Sequence, residues 1–129
     1  MQRGVAGGHS ETPKPGDTLF QRVQNKVIAT AHASLEAAAH YLEAEGVTSA
    51  ILGDSVTGEA REVAKVYGAM AREVRRHGQP WKPPVALISG GECTVTVRGQ
   101  GRGGRCTEFL LSLAIDLNGA PNIHALACD

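Results

Sequence analysis

Aromatic side chains are scarce in this chain: Phe20, Tyr41, Tyr67, Trp81 and Phe109 are all of them, against 16 glycines. That composition fits helices packed closely on a sheet better than the interior of an all-β sandwich. Neither sign of charge is in surplus. Thirteen Lys and Arg balance thirteen Asp and Glu, which excludes a general nucleic-acid or polyanion binder, whose surface needs a basic excess. No apolar run approaches the roughly 20 residues of a membrane span. Residues 1–16 lack the apolar stretch of a secretory leader. The three cysteines, Cys93, Cys106 and Cys128, form no CxxC pair; free thiols used as small hydrophobes are expected, in a reducing compartment such as the cytoplasm. The five histidines make neither HxxxH nor HExxH, so zinc chemistry has no support. His32, at an expected strand-to-helix turn, is the one histidine worth testing. A GxSxG nucleophile elbow is also lacking.

What remains is apolar enough to fold. Hydrophobic residues make up 42% of the 129, sufficient for one ordinary domain or for pieces of two. Residues 1–18, rich in Gly and Pro, read as a flexible arm. Val27–Ala29 reads as a short buried strand. Ser34–Glu45 reads as an amphipathic helix, with Leu35, Ala38, Ala39 and Leu42 on one face and Gly46 as its stop. Val47–Leu52 follows as a strand and residues 53–58 as a turn-rich loop. In that loop Asp54, Ser55 and Thr57 lie where α/β proteins collect functional residues, although helix caps are the simpler use of Ser and Thr. Glu59–His77 is the strongest helical pattern, with Val63, Val66, Tyr67, Met70 and Val74 in one stripe. Acidic residues stand at its start and basic residues at its end, as the helix dipole favours.

Residues 79–84, with three prolines, read as a linker between two units. Val85–Ser89 and Cys93–Val97 are then expected as strands, Arg105–Leu117 as a helix and Ile123–Cys128 as a last strand. Alternating β and α segments predict layered α/β architecture. The expected division is 19–79 and 84–129.

Two glycine clusters carry the chemistry. Gly99, Gly101 and Gly104 match GxGxxG between an expected strand and helix, with Asp129 ending the next strand, which permits a dinucleotide reading with NAD(P)H. The alternating Thr-Val strand before it and the crowding of Arg98, Arg102 and Arg105 fit an anion site more coherently. There, glycine N–H groups, a helix N-terminus and guanidinium forks share a phosphate or carboxylate. A tight turn with solvated arginines is the plain alternative. The second cluster, Gly90-Gly91-Glu92, follows a buried strand. It places Glu92 to ligate Mg²⁺ or bind a substrate hydroxyl, or else forms a hairpin turn with an exposed Glu.

The run Pro84-Val-Ala-Leu-Ile-Ser-Gly-Gly-Glu-Cys-Thr-Val-Thr-Val97, followed by Gly101-Arg-Gly-Gly-Arg-Cys-Thr-Glu-Phe109, resembles the glycerate 2-kinase family. Its members are often labelled hydroxypyruvate reductase and end in a domain called MOFRL. Lys26–Thr30, Ser34–Ala39 and Gly58–Val63 resemble it as well. Cys93 stands where the family has Thr, and Cys106-Thr107 where it has Asn-Gln. The resemblance implies the end of a Rossmann-like domain followed by the start of a MOFRL-type domain, with a cleft between them. It implies phosphorylation of D-glycerate at the 2-hydroxyl with ATP and Mg²⁺. Arg105 and Glu108 would be catalytic. Gly90, Gly91, Glu92, Gly101, Arg102, Gly103 and Gly104 would bind substrate or phosphate, and Glu92 or Asp129 a metal. The family's catalytic lysine would lie outside this chain, so the chain reads as a segment with little activity alone.

NAD(P)H-dependent hydroxypyruvate reduction and a non-catalytic anion-binding module are the alternatives. The expected partner is a small molecule, glycerate or hydroxypyruvate. No nucleic acid or membrane is expected, and a homodimer is left open.

Overall fold

The computed structural model describes residues 12–128. Most of the expected flexible arm and the candidate Asp129 lie outside them. After a single 3₁₀ turn, Thr18–Phe20, capped by the Asp17 carboxylate, the elements run α1 (Ala31–Ala44), β1 (Thr48–Glu59), α2 (Ala60–His77), β2 (Val85–Thr94) and α3 (Arg105–Leu117). β1 and β2 pair in parallel, with Thr48 opposite Val85 and Glu59 opposite Thr94. A parallel pair needs a crossover, and α2 supplies it. The architecture is the layered α/β arrangement that the alternation of segments predicts.

Helix ends follow from local chemistry. Thr30 caps α1 by accepting from the Ala33 N–H at 3.2 Å, so the helix begins three residues before Ser34. At its far end Gly46 takes a φ of 81°. The Gly46 N–H then reaches Glu43 O, and the Val47 N–H reaches Leu42 O, which together make a Schellman motif. Gly78, at φ 63°, closes α2 and donates to Val74 O at 2.8 Å. Asn118, at φ 46°, closes α3.

The strands depart from the sequence reading. β1 is twelve residues long and absorbs the expected loop 53–58. Gly53 and Gly58 adopt φ of 130° and 126°, and the register slips between Ile51 and Gly53 and again before Val56. Glycines that read as a turn act here as bends inside a bulged strand. β2 likewise joins Val85–Ser89 to the glycine pair and ends at Thr94, so Gly90-Gly91 is not a hairpin. Gly91, at φ 149°, lies so close to the backbone of Val56 that a Cβ would overlap it. Val27–Ala29 and Ile123–Cys128 form no strand. Among the described residues neither segment has a neighbour to pair with, and an extended segment without a ladder gains nothing from β geometry.

The core is built from small residues: Ala39, Ala50, Ala60, Ala64, Val74 and Leu113 are its buried apolar members. On α2 the buried line is Ala60, Ala64, Gly68 and Val74. Val66, from the expected apolar stripe, is 58% exposed. A count of apolar residues does not register size, and α2 packs on α3 through its smallest side chains. Gly68 is the tightest point, because a Cβ there would run into the Asp116 carboxylate. Large apolar residues stay exposed, among them Val27, Ile28, Ile115 and Leu126. Among the described residues Cys93, Cys106 and Cys128 form no disulfide. Among the described residues no helix is long and apolar enough to cross a membrane.

Candidate active site

The bulged ends of β1 and β2 lie side by side and open a cleft of about 350 Å³. Ala31 from the start of α1, Asp54, Ser55, Val56 and Thr57 from β1, and Gly91 and Glu92 from β2 line it. The cleft exists because both strands bend at glycines instead of running straight. Asp54, Ser55 and Thr57 therefore are not caps of the following helix. Glu59 holds the N-cap position of α2 without a side-chain capping bond, and the Thr57 hydroxyl donates across the pair to Glu92 O at 3.3 Å.

Glu92 projects from β2 with 76% of its side chain exposed, and the Arg105 guanidinium pairs with it from the first turn of α3. Two residues expected in one site are thus in direct contact. Glu108, one turn further along α3, has a different partner. It pairs with Arg61 Nε at 3.2 Å. Arg61 also donates from Nη2 to Glu59 Oε1 at 3.0 Å, and its carbonyl accepts from the Ser112 hydroxyl at 2.9 Å. Glu59 in turn accepts from the Thr96 N–H at 2.8 Å and from the hydroxyls of Thr96 and Thr94. The Thr96 N–H and then the Arg61 guanidinium hold the Glu59 carboxyl below its ordinary pKa, and the Glu59 hydrogen bond raises that of Arg61.

The glycine-rich loop 97–104 is exposed throughout and is not part of the cleft's lining. Gly99, Gly101 and Gly104 have open space where a Cβ would stand, and none of them needs a left-handed φ. Gly103 is close only to the Thr107 side chain. Neither turn geometry nor packing within the described residues requires the three open glycines. Arg102 is exposed in the same loop. Thr107, which stands where the resembled family has Gln, closes the start of α3: the Gly104 N–H donates to its hydroxyl at 2.7 Å, and the hydroxyl donates to Gly104 O at 2.8 Å. Behind the site Tyr67 donates to the Ser89 hydroxyl at 2.8 Å and meets Phe109 edge to face at 5.4 Å. His32 pairs with Glu36 at 3.5 Å on the exposed surface of α1.

Sequence reasoning missed Arg61 and the part played by Glu59, whose partners lie 35 to 37 residues away. The only signal was a carboxylate and a guanidinium two residues apart at a helix start, which reads as ordinary surface charge.

Residues 85–129 match the MOFRL family. Almost the whole chain, 98% of it, is 43% identical to a protein of Agrobacterium vitis named "Putative hydroxypyruvate reductase", of which it covers 29%. It is also 35% identical to the glycerate 2-kinase of Pyrococcus horikoshii over 87% of this chain and 25% of that one. The crystal structure of the glycerate kinase from Thermotoga maritima superposes with a TM-score of 0.69 at 37% identity, covering 71% of this chain and 22% of that one. The chain spans less than a third of the length of these curated relatives. The Ser-Gly-Gly-Glu strand and the glycine-rich loop thus sit in a segment with many like it, and the chain belongs to the glycerate kinase family, whose relatives also carry the hydroxypyruvate reductase name, with residues 85–129 as its MOFRL portion.

Proposed function

We propose that this chain carries the Glu92–Arg105 part of a glycerate 2-kinase site, which converts ATP and D-glycerate to ADP and 2-phosphoglycerate. In that reaction the 2-hydroxyl oxygen bonds to the γ-phosphorus, the bond from that phosphorus to the β–γ bridging oxygen breaks, and the hydroxyl proton leaves. Phosphoryl transfer of this kind asks a protein mainly for positioning and for neutralisation of charge. The observation that carries the reading is the pairing of Arg105 with Glu92 at the mouth of the cleft, next to an exposed loop in which Gly99 and Gly101 carry no side chain to keep an anion from the backbone. Arg105 and Arg102 would meet the anionic groups of glycerate and the transferred phosphoryl. Glu92 and the hydroxyls of Ser55 and Thr57 would orient the substrate's own hydroxyls.

The oxygen donors around the cleft fit Mg²⁺. Among the described residues no group of three His, Cys, Asp or Glu gathers to form an all-protein cage. Mg²⁺ ordinarily takes one or two carboxylates and completes its shell with water and phosphate oxygens. Glu92 and Asp54 are the carboxylates that would hold it. When bound, it would neutralise the polyphosphate. The exposed Val27, Ile28 and Leu126 are in keeping with a site that residues beyond this segment complete.

A second reading, NAD(P)H-dependent reduction of hydroxypyruvate, rests on the name of the Agrobacterium relative and on the GxGxxG spacing. The geometry favours it less. A dinucleotide fingerprint takes its first glycine from the turn that ends the strand, whereas Val95–Arg98 separate Thr94 from Gly99 here. The two readings part cleanly in one experiment on the gene product at its natural length. ADP and 2-phosphoglycerate should appear together from ATP, Mg²⁺ and D-glycerate, and NADH or NADPH should stay unoxidised with hydroxypyruvate. Nicotinamide oxidation without ADP release would replace this proposal with the reductase.

A further inference from the structure

We infer that Arg61 is a positioning residue, which with Glu59 clamps both ends of the glycine-rich loop and so sets where Arg105 stands. The inference rests on the proposed anion site. The loop has little to hold it in its middle, since residues 97–104 are exposed and Gly99 and Gly101 have open space where a side chain would stand. Its placement must come from its ends. The leading end is Thr96, whose N–H and hydroxyl both bond to the Glu59 carboxylate. The trailing end is α3, and Glu108 in its first turn is held by Arg61 Nε. One guanidinium joins the two anchors, with Nη2 on Glu59 and Nε on Glu108. The Ser112 bond to the Arg61 carbonyl fixes the same stretch of α3 against the same turn of α2.

A second arginine provides the comparison. Arg72, eleven residues along α2, pairs with Asp116 at 2.5 Å and also joins α2 to α3. It does so at the end of α3 far from the loop. If Arg61 merely held the helices together, the two arginines would be equivalent in kind. A planar fork with two acceptors is the geometry that Lys cannot reproduce. Arg61→Lys therefore keeps the charge and breaks the simultaneous pairing with Glu59 and Glu108, and Arg72→Lys makes the same chemical change away from the loop.

The test is amide NMR on the gene product at its natural length, parent and each variant, together with titration of inorganic phosphate. In Arg61→Lys the Thr96 amide should exchange with solvent at least about tenfold faster, and order parameters of the amides from Gly99 to Arg105 should fall. Phosphate affinity should drop several-fold. In Arg72→Lys the Thr96 amide, the loop order parameters and the phosphate affinity should match the parent chain, while the thermal midpoint falls. Unchanged loop amides in Arg61→Lys, or equal changes in both variants, would overturn the clamp. A parent chain that binds no phosphate would count against the anion-site reading instead, and the amide comparison would still decide the clamp.

Discussion

The backbone of Gly91 on β2 and that of Val56 on β1 approach so closely that no side chain fits between them. This contact follows the second slip in register, and from it the two strands run on paired to Glu59 and Thr94 along the cleft. Gly91→Ala should cost about 1–3 kcal/mol, because the new Cβ meets backbone and the residue keeps a φ of 149°. Gly99→Ala should change stability by less than about 0.5 kcal/mol, the usual range for a surface site, since open space surrounds it. Urea denaturation of both variants checks the contrast. Equal losses would mean that the bulge is not the tight point.

Gly68 makes the corresponding demand between the helices. Gly68→Ala places a methyl group on the Asp116 carboxylate, the end of a side chain that can turn aside at the expense of its Arg72 pairing, so the cost should stay below about 1 kcal/mol. The Arg72 bond to Asp116 should weaken with it. The outcome to look for is a lowered thermal midpoint, and Gly68→Ala combined with Asp116→Ala should recover part of the loss.

The pair formed by Glu92 and Arg105 should contribute little to folding. Glu92 is largely exposed, and exposed ion pairs are worth about 0–1 kcal/mol. Glu92→Gln should leave the denaturation midpoint almost unmoved while weakening glycerate-dependent turnover. A large loss of stability would assign the pair a structural role instead.

Acid should act through Glu59. Its carboxyl is held below the ordinary value of 4.5 by Thr96 and Arg61. A depressed folded-state pKa contributes stability that is fully present above the unfolded value and is lost as pH falls through the folded one. The clamp is therefore constant at neutral pH and releases only below about pH 4.5. Glu59→Gln should flatten the fall of stability with acid in that window and leave the curve above pH 6 parallel to the parent. A parent curve with no Glu59-dependent slope below 4.5 would contradict the assignment.

These residues also show what was legible beforehand. Helix ends were readable to within about a residue because signals such as Gly46, Gly78 and Asn118 act within four residues, whereas α1 begins three residues before the expected Ser34, at the Thr30 cap. Strand lengths were not readable. Gly53, Gly58 and Gly91 look like turn formers in any short window, and only the neighbouring strand shows that they are bends in a ladder. Val27–Ala29 and Ile123–Cys128 have strand-like side chains but no partner strand among the described residues. Half of the candidate site's contacts were visible. The Gly90-Gly91-Glu92 run and the Arg105 turn stood out by motif, and the fold brings Glu92 and Arg105 together. Glu108 was named from resemblance alone, and its partner Arg61 lies 47 positions away on another helix, where no sequence pattern points.

The most direct test of the account is glycerate-dependent ADP release by the gene product at its natural length, with ATP and Mg²⁺, compared between the parent and Arg105→Ala. The account predicts release in the parent and a drop of about a hundredfold or more in the variant, the size expected for losing a charge-stabilising donor, with the denaturation midpoint unchanged. Full activity in Arg105→Ala, or a parent that releases no ADP from ATP and glycerate, would contradict it.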